Sequence, residues 1–419
     1  MGGEVLVTPE QPRPHSPTLP GTHHFVNPRM IPADRDFVAL SRLGVSVRWC
    51  GVIATIAVMV VAVYLILDGA SGVGAGTVGR LFNLATNPII GLLIGIVATA
   101  ALQSSTTVTA LTVAAVGTGG VSVPVAIPII LGANIGTTIT PLLVSFSFVG
   151  DRRSFQRAFA SASLHNWFNL VFVLLAFVLE LLFHPLRSFS TWLSELLLGK
   201  GSQPTTTGNF VLEVISPVIN RIGFRGWLGE LFPPGVAPVI SVLVGTVTIM
   251  VSMRVLSSLL ATLMAAKTRT LMERSSGASD ALGLVSGAAA TALTQASSVV
   301  ISSLLPFAVT RSLRQREILA ITLGANVGTT LTALLTALAV PGSMGSFAIQ
   351  AALVHVAFNL GCCLLVFFLK PLRAMLFSLA EFSGRIASGG YSVAAGFLAV
   401  GYLALPVVII VSHTMLGSR

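Results

Sequence analysis

Gln103-Ser104-Ser105-Thr106 is followed 29 residues on by Gly132-Ala133-Asn134-Ile135-Gly136-Thr137-Thr138, and the chain then repeats the pattern. The second copy is Gln295-Ala296-Ser297-Ser298 with Gly324-Ala325-Asn326-Val327-Gly328-Thr329-Thr330, so both parts recur at an offset of 192 residues. Each copy is embedded in apolar sequence. A chain that duplicates neutral oxygen ligands inside two apolar stretches is expected to hold a small solute between two related halves.

The surrounding composition fixes the solvent. Of the 419 residues, 54% are hydrophobic and only 9% are charged, against roughly a quarter charged in soluble domains. No Asp, Glu, Lys or Arg occurs over Leu81–Gly150, Ala281–Thr310 or Ile318–Leu369. A span needs about 20 apolar residues to cross a hydrocarbon core roughly 30 Å thick, so each run holds more than one pass or a hairpin. Backbone facing lipid must be helical. The expected class is therefore an all-α polytopic membrane protein, with the lipid bilayer as its solvent.

The net charge of +10 reads as a positive-inside bias and not as a nucleic-acid surface, because the arginines sit in short loops beside apolar runs. Cys50, Cys362 and Cys363 lie in or beside apolar segments and fit neither a disulfide framework nor a metal site. Residues 1–47 contain seven prolines and read as a disordered cytoplasmic tail. The first apolar run starts too late and runs too long for a cleaved signal peptide.

Loop charges then give the topology. Arg42 and Arg48 place the amino terminus in the cytoplasm; 149–157 and 311–316 are basic, whereas 118–123 and 341–347 are uncharged. At the offset of 192, the uncharged loop 118–123 aligns with a basic one, and the basic loop 149–157 aligns with an uncharged one. Equivalent loops on opposite sides of the membrane are the signature of inverted-topology repeats. The first repeat is expected at 48–198 with a re-entrant helical hairpin over 82–117. An external linker follows at 199–233. The second repeat is expected at 234–390 with its hairpin over 281–309, and a C-terminal span without a partner over 391–419. The glutamine-serine runs fall near the hairpin turns, which enter from opposite faces and meet near the midplane.

Two facing hairpin tips with helix N-termini aimed inward supply N–H donors and positive dipole ends, which suit an anion. Gln, Ser and Thr side chains add donors for a tetrahedral oxyanion. The same side chains offer oxygen to a hard cation. No lysine or arginine is placed at mid-membrane to neutralise the anion, so anion and cation binding are expected to be coupled. Sodium is preferred to protons because neither cassette carries a carboxylate or histidine. Gly132, Gly136, Gly324 and Gly328 read equally as helix breaks or as close packing between helices. His165 and His355 read as satisfied interface residues, not proton carriers. Asp151 beside Arg152 reads as an ordinary loop pair.

At these residues the chain resembles the type II sodium–phosphate cotransporter family, bacterial-type members included. The resemblance runs through Gly132–Thr138, Val149–Arg152, Phe155–Ala160 and His165–Asn169, and again through Leu323–Gly342 and Gln350–Asn359. It implies sodium-coupled import of inorganic phosphate across the cytoplasmic membrane by alternating access, with sodium as coupling ion, no other cofactor, no nucleic acid and no enzymatic reaction. The phosphate ligands it implies are Gln103, Ser104, Ser105, Asn134, Gln295, Ser297, Ser298 and Asn326. The sodium ligands it implies are Thr106, Thr137, Thr138, Asp151, Asn169, Thr329 and Thr330. Ala296 departs from the family's usual serine, Thr106 from its third serine, and Phe148 from a glutamine implicated in sodium coordination. The linker lacks the cysteines of animal relatives. Sulfate transport and a passive anion channel are the alternatives. A serine hydrolase is disfavoured because no G-x-S-x-G elbow accompanies the serines.

Overall fold

A computed structural model describes residues 42–73, 86–199, 216–274, 279–338, 340 and 344–417. Residues 1–41 of the expected tail and 200–215 of the expected linker lie outside the described residues. The described residues contain no strand, as lipid-facing apolar sequence requires.

The first half holds α1 (Arg42–Val73), α2 (Pro88–Leu102), α3 (Ser105–Gly117), α4 (Val123–Gly136), α5 (Ile139–Ser145), α6 (Arg152–Phe183) and α7 (Pro185–Leu198). After a short helix at Trp227–Leu231 come α8 (Ala237–Arg274), α9 (Asp280–Thr294), α10 (Ser297–Thr310), α11 (Gln315–Leu338), α12 (Gly345–Phe368) and α13 (Lys370–Gly389). The chain closes with α14 (Tyr391–Ala399), a π-turn at Val400–Ala404 and α15 (Leu405–Gly417). Helix α1 begins at Arg42, inside the stretch expected as tail, because Leu43 to Val47 continues the apolar pattern of the first span.

Among the described residues, six segments are long and apolar enough to cross a membrane: Gly44–Ile66, Val123–Phe148, Arg152–Phe183, Gln315–Leu338, Gly345–Phe368 and Tyr391–His413. Their outward faces carry large apolar side chains, such as Leu174, Leu182 and Phe183 on α6 and Leu364 and Phe368 on α12. Such surface is at home in hydrocarbon, and this is a multi-pass helical membrane protein. Helices α2 and α3 have 15 and 13 residues, and α9 and α10 have 15 and 14. At 1.5 Å per residue each reaches about 20 Å, short of a full crossing.

The packing is reciprocal between halves. Helix α2 lies on α4 as α9 lies on α11, α6 touches α10 and α13 as α12 touches α3 and α7, and α1 packs along α8. The glycines explain the two tightest pairs. A Cβ on Gly132 would sit 2.0 Å from Leu92 O, and one on Gly324 would sit 1.9 Å from Leu284 O. Only bare backbone permits such an approach, which decides these cassette glycines for close packing. Helix α11 runs unbroken through Gly324 and Gly328. In the first copy α4 stops at Gly136 and the chain resumes at Ile139.

Candidate functional site

Each short helix pair turns through the same two residues. Gln103 is left-handed at φ 53° and Ser104 is extended at φ −151°; Gln295 and Ala296 repeat this at φ 55° and φ −147°. A left-handed non-glycine residue costs roughly 1–2 kcal/mol, and both copies carry that cost at the glutamine. The extended residue then caps the next helix, so α3 and α10 begin with their N–H groups at the turn.

The two turns meet. One cavity of about 240 Å³ is lined by Gln103, Ser104, Ser105 and Thr106 from the first and by Gln295, Ala296, Ser297 and Ser298 from the second, with Thr137 at its wall. Ser105, Thr106, Thr137, Gln295 and Ser297 are buried, while Gln103 is exposed. No charged side chain lines it. What it offers is hydroxyls, amides and two helix N-termini, a neutral donor set with positive dipole ends.

The two tips are not chemically equal. Ser104 Oγ accepts from Thr107 N at 3.2 Å and lies 2.8 Å from Thr107 Oγ1, so it satisfies a first-turn donor of α3. Ala296 has no such oxygen, and α10 starts without a side-chain cap. Its first-turn N–H groups remain as donors. The departure at Ala296 noted from sequence therefore leaves the start of α10 without a side-chain cap where it lines the cavity. Ser105 Oγ donates to Thr137 Oγ1 at 3.2 Å, joining tip to cassette, and the Thr332 hydroxyl donates to Gln295 Oε1.

The other residues anticipated for the site do not line this cavity. Asn134 donates to Ile130 O at 2.9 Å. Asn326 accepts from His165 Nε2 at 2.9 Å and donates to Asn169 Oδ1 at 3.2 Å. Thr329 and Thr330 bond back to Asn326 O and Val327 O. Thr138 likewise lies 2.8 Å from Ile135 O, and its hydroxyl also meets Asn166 Oδ1, 3.1 Å away, and the Tyr402 hydroxyl. Asp151 is the N-cap of α6, accepting from Ser154 N at 2.8 Å and Ser154 Oγ at 2.6 Å. Those bonds, from the Ser154 hydroxyl first, hold its carboxyl below the usual aspartate value. Phe148 closes a 3₁₀ turn and packs against the core.

Three residues were missed from sequence: Thr332, Asn166 and Tyr402. Tyr402 sits in the π-turn of the last span, and its hydroxyl donates to Asn166 Oδ1 at 2.5 Å. A phenol buried in an apolar span must find a partner, and that was the available signal.

Two further basins share lining positions related by the 192-residue offset. One of about 660 Å³ is lined by Arg153, Arg157, Arg311, Arg314 and Arg385 together with Gln315. The other, about 420 Å³, is lined by Gly119, Ser122, Arg187, Thr191, Phe347 and Gln350. Gly119 and Arg311, like Ser122 and Arg314, are separated by 192 residues.

The sequence model of the family described as Na+/Pi-cotransporter matches two stretches, 58–198 and 248–387. The chain is 26% identical to sodium-dependent phosphate transport protein 2B of Homo sapiens, over 80% of this chain and 61% of that protein. It is 28% identical to protein 2A of Mus musculus over 80% and 62%, and 29% identical to protein 2C of Rattus norvegicus over 68% and 59%. The chain thus spans about three fifths of the length of the curated relatives it matches. No solved structure matches it significantly.

Proposed function

Because this chain belongs to the Na+/Pi-cotransporter family, we propose that it is a secondary transporter that imports inorganic phosphate with sodium as the coupling ion. Its place is the cell membrane, with the amino terminus in the cytoplasm. The observation that carries this reading is the single cavity built from Gln103–Thr106 and Gln295–Ser298, one tip from each stretch matched by the family.

The two halves act as inverted-topology repeats, with α2–α3 and α9–α10 as re-entrant hairpins entering from opposite faces. The shared glutamine-centred turns, the reciprocal packing and the double family match support this, as do the opposed loop charges. On this topology the arginine-lined basin is the cytoplasmic vestibule and the basin at Ser122 and Gln350 is the external one.

Phosphate binds between the tips. Ser105, Ser297, Ser298 and the two glutamines donate to its oxygens, the uncapped start of α10 adds N–H donors, and the dipoles of α3 and α10 favour its charge. Sodium answers the remaining negative charge through neutral oxygens, with Thr106 and Thr137 nearest the anion. Asp151, Asn169, Asn134, Asn326, Thr138, Thr329 and Thr330 form the outer candidates, Asp151 as the one carboxylate among them. Sodium entering first makes the site competent for the anion, and the loaded site opens to the other side.

The test is uptake of labelled phosphate by proteoliposomes, with and without a sodium gradient, with arsenate and sulfate as competitors. Concentrative, sodium-driven uptake blocked by arsenate is expected. Flux that never exceeds equilibrium identifies a channel, and preferential block by sulfate identifies a different oxyanion.

A further inference from the structure

Several hydrogen bonds in this structure are made in one half of the molecule and left open in the other. His165 Nε2 donates to Asn326 Oδ1 at 2.9 Å, Asn326 Nδ2 donates to Asn169 Oδ1 at 3.2 Å, and Asn169 Nδ2 returns to His165 O at 3.0 Å. This is a closed ring joining α6 of the first half to α11 of the second. Beside it, Thr332 donates to Gln295 Oε1.

The residues at equivalent positions are His355, Asn134 and Asn359 for the ring, and Thr140 with Gln103 for the second contact. They have the same chemistry and stand open. Both ring nitrogens of His355, Asn359 Oδ1 and Thr140 Oγ1 are buried without a partner among the described residues. Asn134 turns its amide back to Ile130 O at 2.9 Å, and Gln103 is exposed. One edge is already formed, since Asn359 Nδ2 donates to His355 O at 3.0 Å. The helices that must meet are also neighbours: α4 packs against α12 as α11 packs against α6.

Nδ1 is open in both histidines, but His355 Nε2, Asn359 Oδ1 and Thr140 Oγ1 are each the counterpart of a bonded atom. Buried polar atoms are nearly always hydrogen-bonded, and these three left open together call for a state that fills them. We propose that His355, Asn134, Asn359, Thr140 and Gln103 are positioning residues that close the mirror-image network in the opposite-facing state. There His355 donates to Asn134 Oδ1, Asn134 donates to Asn359 Oδ1 and Thr140 donates to Gln103, while the His165 ring opens. This rests on the inverted-repeat reading. Two matched networks keep the two states close in free energy, as a carrier that cycles requires. The larger basin is the arginine-lined one, and the proposal assigns the closed His165 ring to the state open on that side.

The test reads which side is open. Gln315→Cys reports the arginine-lined basin and Ser122→Cys the other, in full-length protein with Cys50, Cys362 and Cys363 replaced, using a membrane-impermeant thiol reagent on vesicles of each orientation. Asn326→Ala is expected to lower labelling at position 315 and raise it at 122 by about threefold or more, and Asn134→Ala to do the reverse; a threefold change is about 0.65 kcal/mol in the balance of states. Thr332→Val and Thr140→Val must follow the same respective directions, which guards against misfolding of either asparagine variant. Shifts in one common direction, or none in any variant, overturn the inference. So does labelling of both cysteines from one membrane face, which removes the inverted-repeat premise with it. The readout needs neither phosphate nor sodium. Opposite shifts in a protein without sodium-driven uptake would sink the transport reading and leave this inference standing.

Discussion

Ser105 donates its hydroxyl to Thr137 Oγ1 at 3.2 Å, tying the first tip to its cassette where both face the shared cavity. On the proposed reading Ser105→Ala removes a phosphate donor and this tie together, whereas Thr137→Val leaves the serine hydroxyl and removes the tie together with a sodium-side oxygen. A hydrogen bond to a charged ligand is worth about 1.5–3 kcal/mol, roughly ten- to a hundredfold in affinity. We expect Ser105→Ala and Ser297→Ala to raise the phosphate concentration for half-maximal uptake by that order, with Thr137→Val milder. Uptake curves at equal amounts of membrane protein check this, and unchanged curves for both serine variants remove them from the site.

The cassette glycines make a prediction about stability alone. Gly324→Ala would force a Cβ to within 1.9 Å of Leu284 O, whereas a Cβ at Gly361 on α12 meets nothing within 4 Å. Overpacking of this kind costs about 1–3 kcal/mol or more, while an alanine at an open helical site gains up to about 1 kcal/mol. Thermal unfolding in detergent should place Gly324→Ala well below wild type and Gly361→Ala at or above it.

How much of this was legible in the sequence follows from what kind of constraint each feature obeys. The tips were legible because the lipid-facing surroundings forbid charge and the motif recurs at one offset, so Gln103 and Gln295 stood out as a pair. The glycines were not, because a helix break and a close approach select the same residue, and only the carbonyl of Leu92 or Leu284 distinguishes them. Thr332 and Thr140 passed unremarked since threonine is common in membrane helices and its partner lies on another helix. The difference between Asn134 and Asn326 was out of reach in principle. Asn134 bonds within its own helix while Asn326 reaches α6, and two identical residues in matching cassettes do not announce that difference.

Tyr402 lies in the last span, and its hydroxyl reaches Asn166 Oδ1 at 2.5 Å and also meets Thr138 of the first cassette. π-turns inside helices are frequent at functional positions, and this one places the phenol. Tyr402→Phe keeps the ring and removes the hydroxyl. Side-chain hydrogen bonds within membranes average about 0.6 kcal/mol, so the fold should persist with a small drop in unfolding temperature. Slower uptake at normal protein levels is the expected result, and a wild-type rate would make the contact purely structural.

Asp151 gives a pH prediction with a definite sign. The Ser154 hydroxyl and N–H hold its carboxyl below the ordinary aspartate value. A depressed folded-state value means that its stabilising contribution is fully present above the ordinary value and is lost as pH falls through the lowered one. Asp151 is therefore ionised throughout the neutral range, and pH dependence of uptake near neutrality has another origin. Ser154→Ala should raise the aspartate titration toward its ordinary value, measurable by carboxylate infrared bands in isotope-labelled protein. Asp151→Asn keeps much of the cap but removes the charge. With Asp151 as a sodium ligand, it lowers sodium affinity and changes the current that accompanies uptake.

Ala296 and Ser104 occupy the same extended position in the two tips, but only Ser104 carries an oxygen to occupy a first-turn N–H. Ala296→Ser supplies that oxygen to α10. An N-cap serine in place of alanine stabilises a helix by about 1 kcal/mol, so the ligand-free variant should unfold at a higher temperature than wild type. On the proposed reading the same bond engages a donor that phosphate uses in the wild-type protein, and the anion must then displace the serine to reach it. The upward shift in unfolding temperature on adding phosphate with sodium should consequently be smaller in Ala296→Ser. A phosphate-induced shift equal to or larger than that of wild type would mean that the uncapped N–H groups of α10 do not face the anion, and that the tips bind through their side chains alone.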